Sequence, residues 1–339
     1  MNKIKRKIIA FALASAMIIS PVGVSFAETP GANPKTSIFI DMPSNWSAAP
    51  LENAVENGLI SGYDTGKGKE IRANGKLTRA EMAAIVNRAF GATEQGSISG
   101  FHDVSGSQWY APEIAKAVAM GTFTGSNGKM RPNASITREE AFAVLARAFK
   151  IETKKASELS AFLDAGDVSG WAVPEVAGLA ARGYLSGANG KLNPKASITR
   201  AEFAKIMDNI VKQYITTAGS FGSVENGTVV VNVPGVTLKN LVITGDLIIA
   251  DGVGKGEVTL DGVTVKGNTV IRGGGPNSIN VSGNSMLGQV IISKTAGGEI
   301  SVKVSGSAKG DSVTIVDGTV YLSGEIRRLD VVGDMPVAL

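Results

Sequence analysis

The chain has three tryptophans, Trp46, Trp109 and Trp171, set 63 and then 62 residues apart. A rare residue type held at one interval marks an internal repeat, and a unit that short buries too little surface to be stable alone. Other residues keep the same phase. Glycines stand twelve residues after each tryptophan (Gly58, Gly121, Gly183) and sixteen after it (Gly62, Gly125, Gly187). Each unit then reaches a near-identical string: Leu77-Thr78-Arg79-Ala80-Glu81, Ile136-Thr137-Arg138-Glu139-Glu140 and Ile198-Thr199-Arg200-Ala201-Glu202. Ahead of each tryptophan lies an aromatic-x-Asp: Phe39 and Asp41, Phe101 and Asp103, Phe162 and Asp164.

Each unit is predicted to form two helices. The first follows the tryptophan, with a proline near its first turn (Pro50, Pro112, Pro174), where a missing amide costs nothing. The glycine at plus twelve is placed to end it in the left-handed conformation. The second helix starts at the threonine of T-R-x-E, a capping box in which Thr78, Thr137 and Thr199 pair with Glu81, Glu140 and Glu202. Behind it recur Ile85, Val86 and Phe90; Val144, Leu145 and Phe149; Ile206, Met207 and Val211, which builds one apolar face per unit.

Capping explains the threonine and the glutamate but not the arginine. Arg79, Arg138 and Arg200 occupy the first helical position, where a cation opposes the helix dipole. Two uses are open: a salt bridge to Asp41, Asp103 or Asp164, or capture of an anion by a guanidinium beside a helix N-terminus. The tryptophans divide the same way, between packing and a flat platform for a sugar ring. Arg131 and Lys191, in the loops before the capping boxes, are weaker candidates whose default is a solvated surface.

These motifs resemble the S-layer homology family, whose units run from F-x-D through a tryptophan-initiated helix and a glycine turn to I-T-R-A-E. The resemblance covers about residues 37–212, as repeats 37–92, 99–150 and 160–213. Two departures bear on loop geometry: Gly62 to Thr78 spans 16 residues against 12 in the other repeats, and Asp164 to Trp171 is stretched to seven. The resemblance implies an all-α, pseudo-threefold module with grooves between repeats. In that family, tryptophan and T-R-x-E arginine line grooves that bind an acidic secondary cell-wall polysaccharide, often pyruvylated. The expected ligand-binding set is therefore Trp46, Arg79, Trp109, Arg138, Trp171 and Arg200, with Asp41, Asp103, Asp164, Arg131 and Lys191 beside them.

Residues 1–27 read as a secretory signal: Lys3, Lys5, Arg6 and Lys7, an apolar run from Ile8 to Ile19, and Ser25-Phe26-Ala27 as the cleavage site. Its removal takes away four basic residues and no acidic one, which leaves a formally neutral chain and no case for a nucleic-acid partner. No membrane span is expected after cleavage. With no cysteine and one histidine, His102, thiolate and multi-histidine metal sites are excluded within one chain, and no cofactor is expected. His102 reads as an ordinary loop residue.

From about Val224 the composition shifts to Gly, Val, Ile, Thr and Asn, after a segment at 214–223 that reads as a linker. Gly245, Gly267, Gly288 and Gly310 step by 22, 21 and 22, each followed by a short β-branched strand. That period predicts a parallel β-helix over 224–339. Asp246, Asp251, Asp261, Lys255 and Arg272 are its polar candidates, and no pair stands out as general acid and base. The function expected is non-catalytic anchoring of an exported cell-surface protein to the wall of a thick-walled bacterium, with peptidoglycan as the other wall partner. The β-helix would serve as spacer, adhesion or surface-layer assembly element, with self-association in a lattice. A wall-bound carbohydrate-active enzyme with its site on the β-helix is the alternative.

Overall fold

The computed structural model describes residues 38–295, 297–308 and 312–332, and the backbone of Val337–Ala338. The signal sequence expected at 1–27 lies outside the described residues. The three units supply helices in pairs: α1 (Ala48–Glu56) and α2 (Arg79–Phe90), α3 (Ala111–Ala119) and α4 (Arg138–Ala148), α5 (Val173–Ala181) and α6 (Arg200–Ile210). Gly58, Gly121 and Gly183 are all left-handed just past the first helix of each pair. The pairs interlock across units, α2 on α3, α4 on α5 and α6 on α1, so the last repeat closes onto the first. The residues at plus 7, plus 8 and plus 12 are all buried, with Phe90 edge-on to Phe149 at 4.9 Å. Among the described residues no helix is long and apolar enough to cross a membrane.

Closure is written in the backbone. Leu77 N–H donates to the Ile198 carbonyl, Ile198 to Ile136 and Ile136 to Leu77, each at 3.0 Å, a ring of three bonds around the pseudo-threefold axis. The free amides that begin each second helix are satisfied by the next repeat. Arg79 and Ala80 donate to Ala134 and Pro132, Arg138 and Glu139 to Ala196 and Pro194, Arg200 and Ala201 to Gly75 and Ala73. One repeat alone would leave these donors without partners. The module is not purely helical: repeat 1 carries an antiparallel hairpin, Tyr63–Thr65 with Gly68–Glu70.

The second half is a β-solenoid of parallel strands in two stacked sheets. One runs Val211–Ile215, Thr228–Val231, Leu247–Ile249, Thr269–Ile271, Gln289–Ser293, Ser312–Asp317 and Leu329–Val331. The other runs from Gly219–Phe221 to Val337–Ala338. A narrow third face pairs Val242–Ile243 with Thr264–Val265. The first strand continues directly from α6, and 219–221 already pairs with 236–238. Segment 214–223, expected as a linker, is thus part of the first coil, and the solenoid starts at Val211. Sequence could not reveal this because the first strand borrows the helix's last apolar position, Val211.

Over Thr228–Val231, Leu247–Ile249 and Thr269–Ile271 the first sheet is buried on both faces. Val229, Val231, Leu247, Ile249 and Ile271 fill the bore, while Val230, Ile248 and Val270 join the helical core. Polar groups lock the same junction. Asn232 Nδ2 donates to the Ala89 carbonyl at the end of α2. Arg272, 2% exposed, donates to the Met120 carbonyl at the end of α3 at 2.9 Å and to Ala148 in the last turn of α4 at 3.4 Å, while pairing with Asp251 at 2.6 Å. Gly91 and Gly252 meet backbone to backbone: a Cβ at Gly252 would stand 2.1 Å from the Asn232 carbonyl oxygen.

Lys150 follows α4 in the left-handed region, where repeat 1 has Gly91. Burial, and next the Arg272 charge, push its amine down to about 8, with Asp251 and Asp317 pulling the other way. The folded pKa lies below the unfolded value, so the charged form is the strained one, and stability should rise as pH climbs from about 8 toward 10. Chemical denaturation across that range should show the rise in the wild type and lose it in Lys150→Gly, which should also be more stable by about 1 kcal/mol at neutral pH. A wild-type midpoint that does not move would refute this account of the site.

Candidate functional site: the grooves between repeats

All three capping boxes form. The hydroxyls of Thr78, Thr137 and Thr199 accept from the amides of Glu81, Glu140 and Glu202, whose carboxylates accept the threonine amides in return. The second oxygen of Glu140 and of Glu202 faces the preceding repeat. Glu140 Oε1 accepts from Arg79 Nη1 at 2.9 Å, and Glu202 Oε1 from Arg138 Nη1 at 2.6 Å. One carboxylate therefore caps its own helix and holds its neighbour, a double duty that glutamine could not perform as an ion pair.

The arginines are buried, at 8%, 8% and 5% exposure for Arg79, Arg138 and Arg200. Their Nε groups donate to the carbonyls of Met130, Leu192 and Ile71 in the next repeat. Where a salt bridge to Asp41, Asp103 or Asp164 was one of the two uses open to the arginines, Arg79 and Arg138 bridge to glutamate instead, because those aspartates are engaged elsewhere. Asp41 accepts the amides of Ile71 and Arg72, Asp103 those of Met130 and Arg131, Asp164 those of Leu192 and Asn193. Against a desolvation cost that works the other way, these amides hold Asp103 and Asp164 below the ordinary carboxylate range. Each aspartate clamps a turn whose second residue, Arg72, Arg131 or Asn193, is left-handed.

The tryptophans are exposed, at 60%, 58% and 52% for Trp46, Trp109 and Trp171. Packing does not account for them. Two grooves combine elements of all three repeats in cyclic order. One, of about 430 Å³, sets Arg79 of repeat 1 against Phe123, Arg131 and Arg147 of repeat 2 and Trp171 of repeat 3. The other, of about 380 Å³, sets Arg138 of repeat 2 against Tyr184, Leu185 and Lys205 of repeat 3 and Trp46 of repeat 1. Both lie in the size range of small-molecule sites and offer an aromatic face beside a guanidinium. The same permutation would set Trp109 with Arg200.

Arg131 reaches Glu140 at 3.3 Å on the rim of the first groove; Lys191 is exposed, and its backbone closes a tight turn with Ala188. Sequence reasoning did not single out Arg147, Lys205 or Tyr63, since no repeated motif contains them. For Tyr63 a signal existed: an aromatic just after Gly62, at the start of the interval that is too long in repeat 1. Glu139, where the other repeats have alanine, is buried and takes Ser169 and Lys195. Partial burial would raise its carboxyl, but Lys195 and Ser169 hold it below the ordinary range.

Of the solenoid candidates, the three aspartates and Arg272 are used as ties, while Lys255 lines a cavity with Asp251 and Arg272. Asp246 pairs with Arg182 at 3.2 Å, Asp251 with Arg272, and Asp261 with Lys239 at 3.7 Å. His102 donates its amide to the Gly128 carbonyl.

Three cyclically interlocked helix pairs, with grooves that recur by rotation, define a repeat-built helical module fused to a solenoid. Residues 39–83, 100–142 and 161–204 match the S-layer homology domain, and the chain thus carries three such domains followed by a β-solenoid. It is similar to a surface-layer 125 kDa protein of Lysinibacillus sphaericus, 32% identical over 62% of this chain and 17% of that protein. It is likewise similar to an amylopullulanase of Thermoanaerobacterium thermosulfurigenes, 32% identical over 52% of this chain and 10% of the enzyme. The S-layer protein sap of Bacillus anthracis is 28% identical over 64% of this chain and 26% of its own length. The chain spans about a quarter or less of each of these relatives.

Proposed function

We propose that the chain anchors itself to the bacterial cell wall by binding an acidic wall polysaccharide in the grooves between its S-layer homology domains, without catalysis of its own. The domains and the surface-layer relatives make it a secreted, wall-associated protein of the cell surface. The observation that carries the reading is the pairing, in each described groove, of an exposed tryptophan with a buried arginine from another repeat. A sugar ring lies on the indole, and a carboxylate, such as that of a pyruvyl ketal, meets the guanidinium. Several grooves on one chain raise avidity for a polymer that engages more than one. The solenoid extends the anchor outward and offers surface for assembly.

The arginines are poor first targets, since each also holds two repeats together. Trp46→Ala with Trp171→Ala removes largely exposed side chains and should leave the thermal midpoint within a few degrees. Co-sedimentation of the full chain with wall sacculi should fall at least tenfold in the double variant, and in the wild type after acid stripping of the secondary polymer. Unchanged binding by the variant would reject the grooves as the site, and binding that survives stripping would shift the ligand to peptidoglycan.

A further inference from the structure

The three grooves are not equivalent, and the reason lies in the interval that is four residues too long. In repeats 2 and 3, Gly125 and Gly187 are left-handed and the chain turns at once, Ser126 pairing with Lys129 and Ala188 with Lys191. In repeat 1, Gly62 is not left-handed, and the chain runs on into the hairpin Tyr63–Thr65 and Gly68–Glu70. A Cβ at Gly62 would stand 2.2 Å from the Phe39 ring and 2.6 Å from the Glu70 carbonyl oxygen, which fixes this path.

The altered path carries two acceptors to Arg200. Its Nη2 donates to the Ser61 carbonyl at 2.7 Å and its Nη1 to the Tyr63 hydroxyl at 3.3 Å, with Nε on Ile71. The Tyr63 hydroxyl donates onward to Glu81 at 2.6 Å, so it takes the place that Arg79 and Arg138 fill directly on Glu140 and Glu202. The tyrosine ring also lies under Arg200, 4.9 Å from its guanidinium carbon, and under Arg72 at 4.3 Å. Arg200 thus donates from all three nitrogens. Among the described residues, Nη2 of Arg79 and of Arg138 has no hydrogen-bond partner, and both arginines line open grooves.

We infer that the repeat 1 hairpin is a built-in plug: Tyr63 and the Ser61 carbonyl occupy the anion position of the Arg200 groove, so that at most the Trp171 and Trp46 grooves take an anionic sugar. The inference rests on the grooves being the wall-polymer site and states which of them work. A carboxylate entering the third groove would have to displace the Ser61 carbonyl and break the Tyr63–Glu81 bond, whereas in the other two it meets a guanidinium edge already free.

The three indole N–H signals give one reporter per groove. The full chain, labelled with ¹⁵N, is titrated with the methyl glycoside of a monosaccharide bearing a pyruvyl ketal, and separately with polymer fragments released from sacculi by mild acid. Signals are assigned by single Trp→Phe variants. Expected is movement of the Trp46 or Trp171 signal, or both, with Trp109 silent, and a Trp109 response gained in Tyr63→Ala. A wild-type Trp109 signal that moves with the others overturns the plug while leaving the groove reading intact. A folded Tyr63→Ala chain whose Trp109 signal stays silent overturns the part assigned to Tyr63. If no indole responds to either probe, the groove reading itself fails and the plug with it. The wild-type titration decides even if the variant does not fold.

Discussion

Replacing Arg272 with alanine is expected to destabilise the protein by about 3–5 kcal/mol, the cost of breaking a buried ion pair from one side. Three losses coincide at this residue. Asp251, whose side chain is 14% exposed, would keep its charge with its partner gone. The Met120 and Ala148 carbonyls at the ends of α3 and α4 would lose a charged donor. A void would open over the Phe90 ring, which lies 5.4 Å from the guanidinium carbon. Denaturant unfolding followed by circular dichroism measures the effect directly. The paired change Arg272→Met with Asp251→Asn should recover much of the loss, because it removes both charges together. A single variant within 1 kcal/mol of the wild type would mean that the junction does not depend on this bolt.

The second large effect concerns the helical module cut from its solenoid. A chain ending after residue 213 should fail to give a cooperative thermal transition, although its helices would still register in the far ultraviolet. The argument is one of area. Val230, Ile248 and Val270 are at most 1% exposed and complete the core formed by Phe90, Phe149 and the rest of the second helices. Fully burying such side chains contributes roughly 1.5–3 kcal/mol apiece, and a domain's whole margin is about 5–15 kcal/mol. The ends of α2, α3 and α4 would lose their caps at the same time. Near-ultraviolet dichroism and dye binding would reveal the exposed apolar end. A sharp transition near that of the full chain would show the module to be self-sufficient. Wall-binding tests are accordingly best made on the full chain.

Much of the helical half was legible in the sequence, for identifiable reasons. The capping boxes were readable because threonine and glutamate act within one turn, so the geometry that couples them is fixed by a spacing of three. The left-handed stops at Gly58, Gly121 and Gly183 are likewise local. The solenoid was readable from its period, since each coil repeats the same turn chemistry. The arginine partners were not. Whether Arg79 would meet Asp103, Glu140 or a ligand depended on where repeat 2 sits against repeat 1, and no spacing along the chain encodes that. The same limit hid the roles of Arg272, which looked like one polar residue among several on the solenoid, and of Val211, which looked like the last apolar position of a helix and proved to be the first of a sheet.

By itself, then, the sequence determined three S-layer homology units, their helix pairs with caps and stops, and a parallel coil of about 22 residues, because each is set by interactions within one unit. Tertiary structure alone decided the rest. It closed the three units into a ring through the Leu77, Ile136 and Ile198 bonds, turned the expected linker into the first coil, and fixed each arginine against the next repeat's glutamate or, at Arg200, against Tyr63. The ring and the arginine contacts join groups some 60 or more residues apart, and in every case partners are chosen by which surfaces can be buried together and which donors would otherwise stay unpaired.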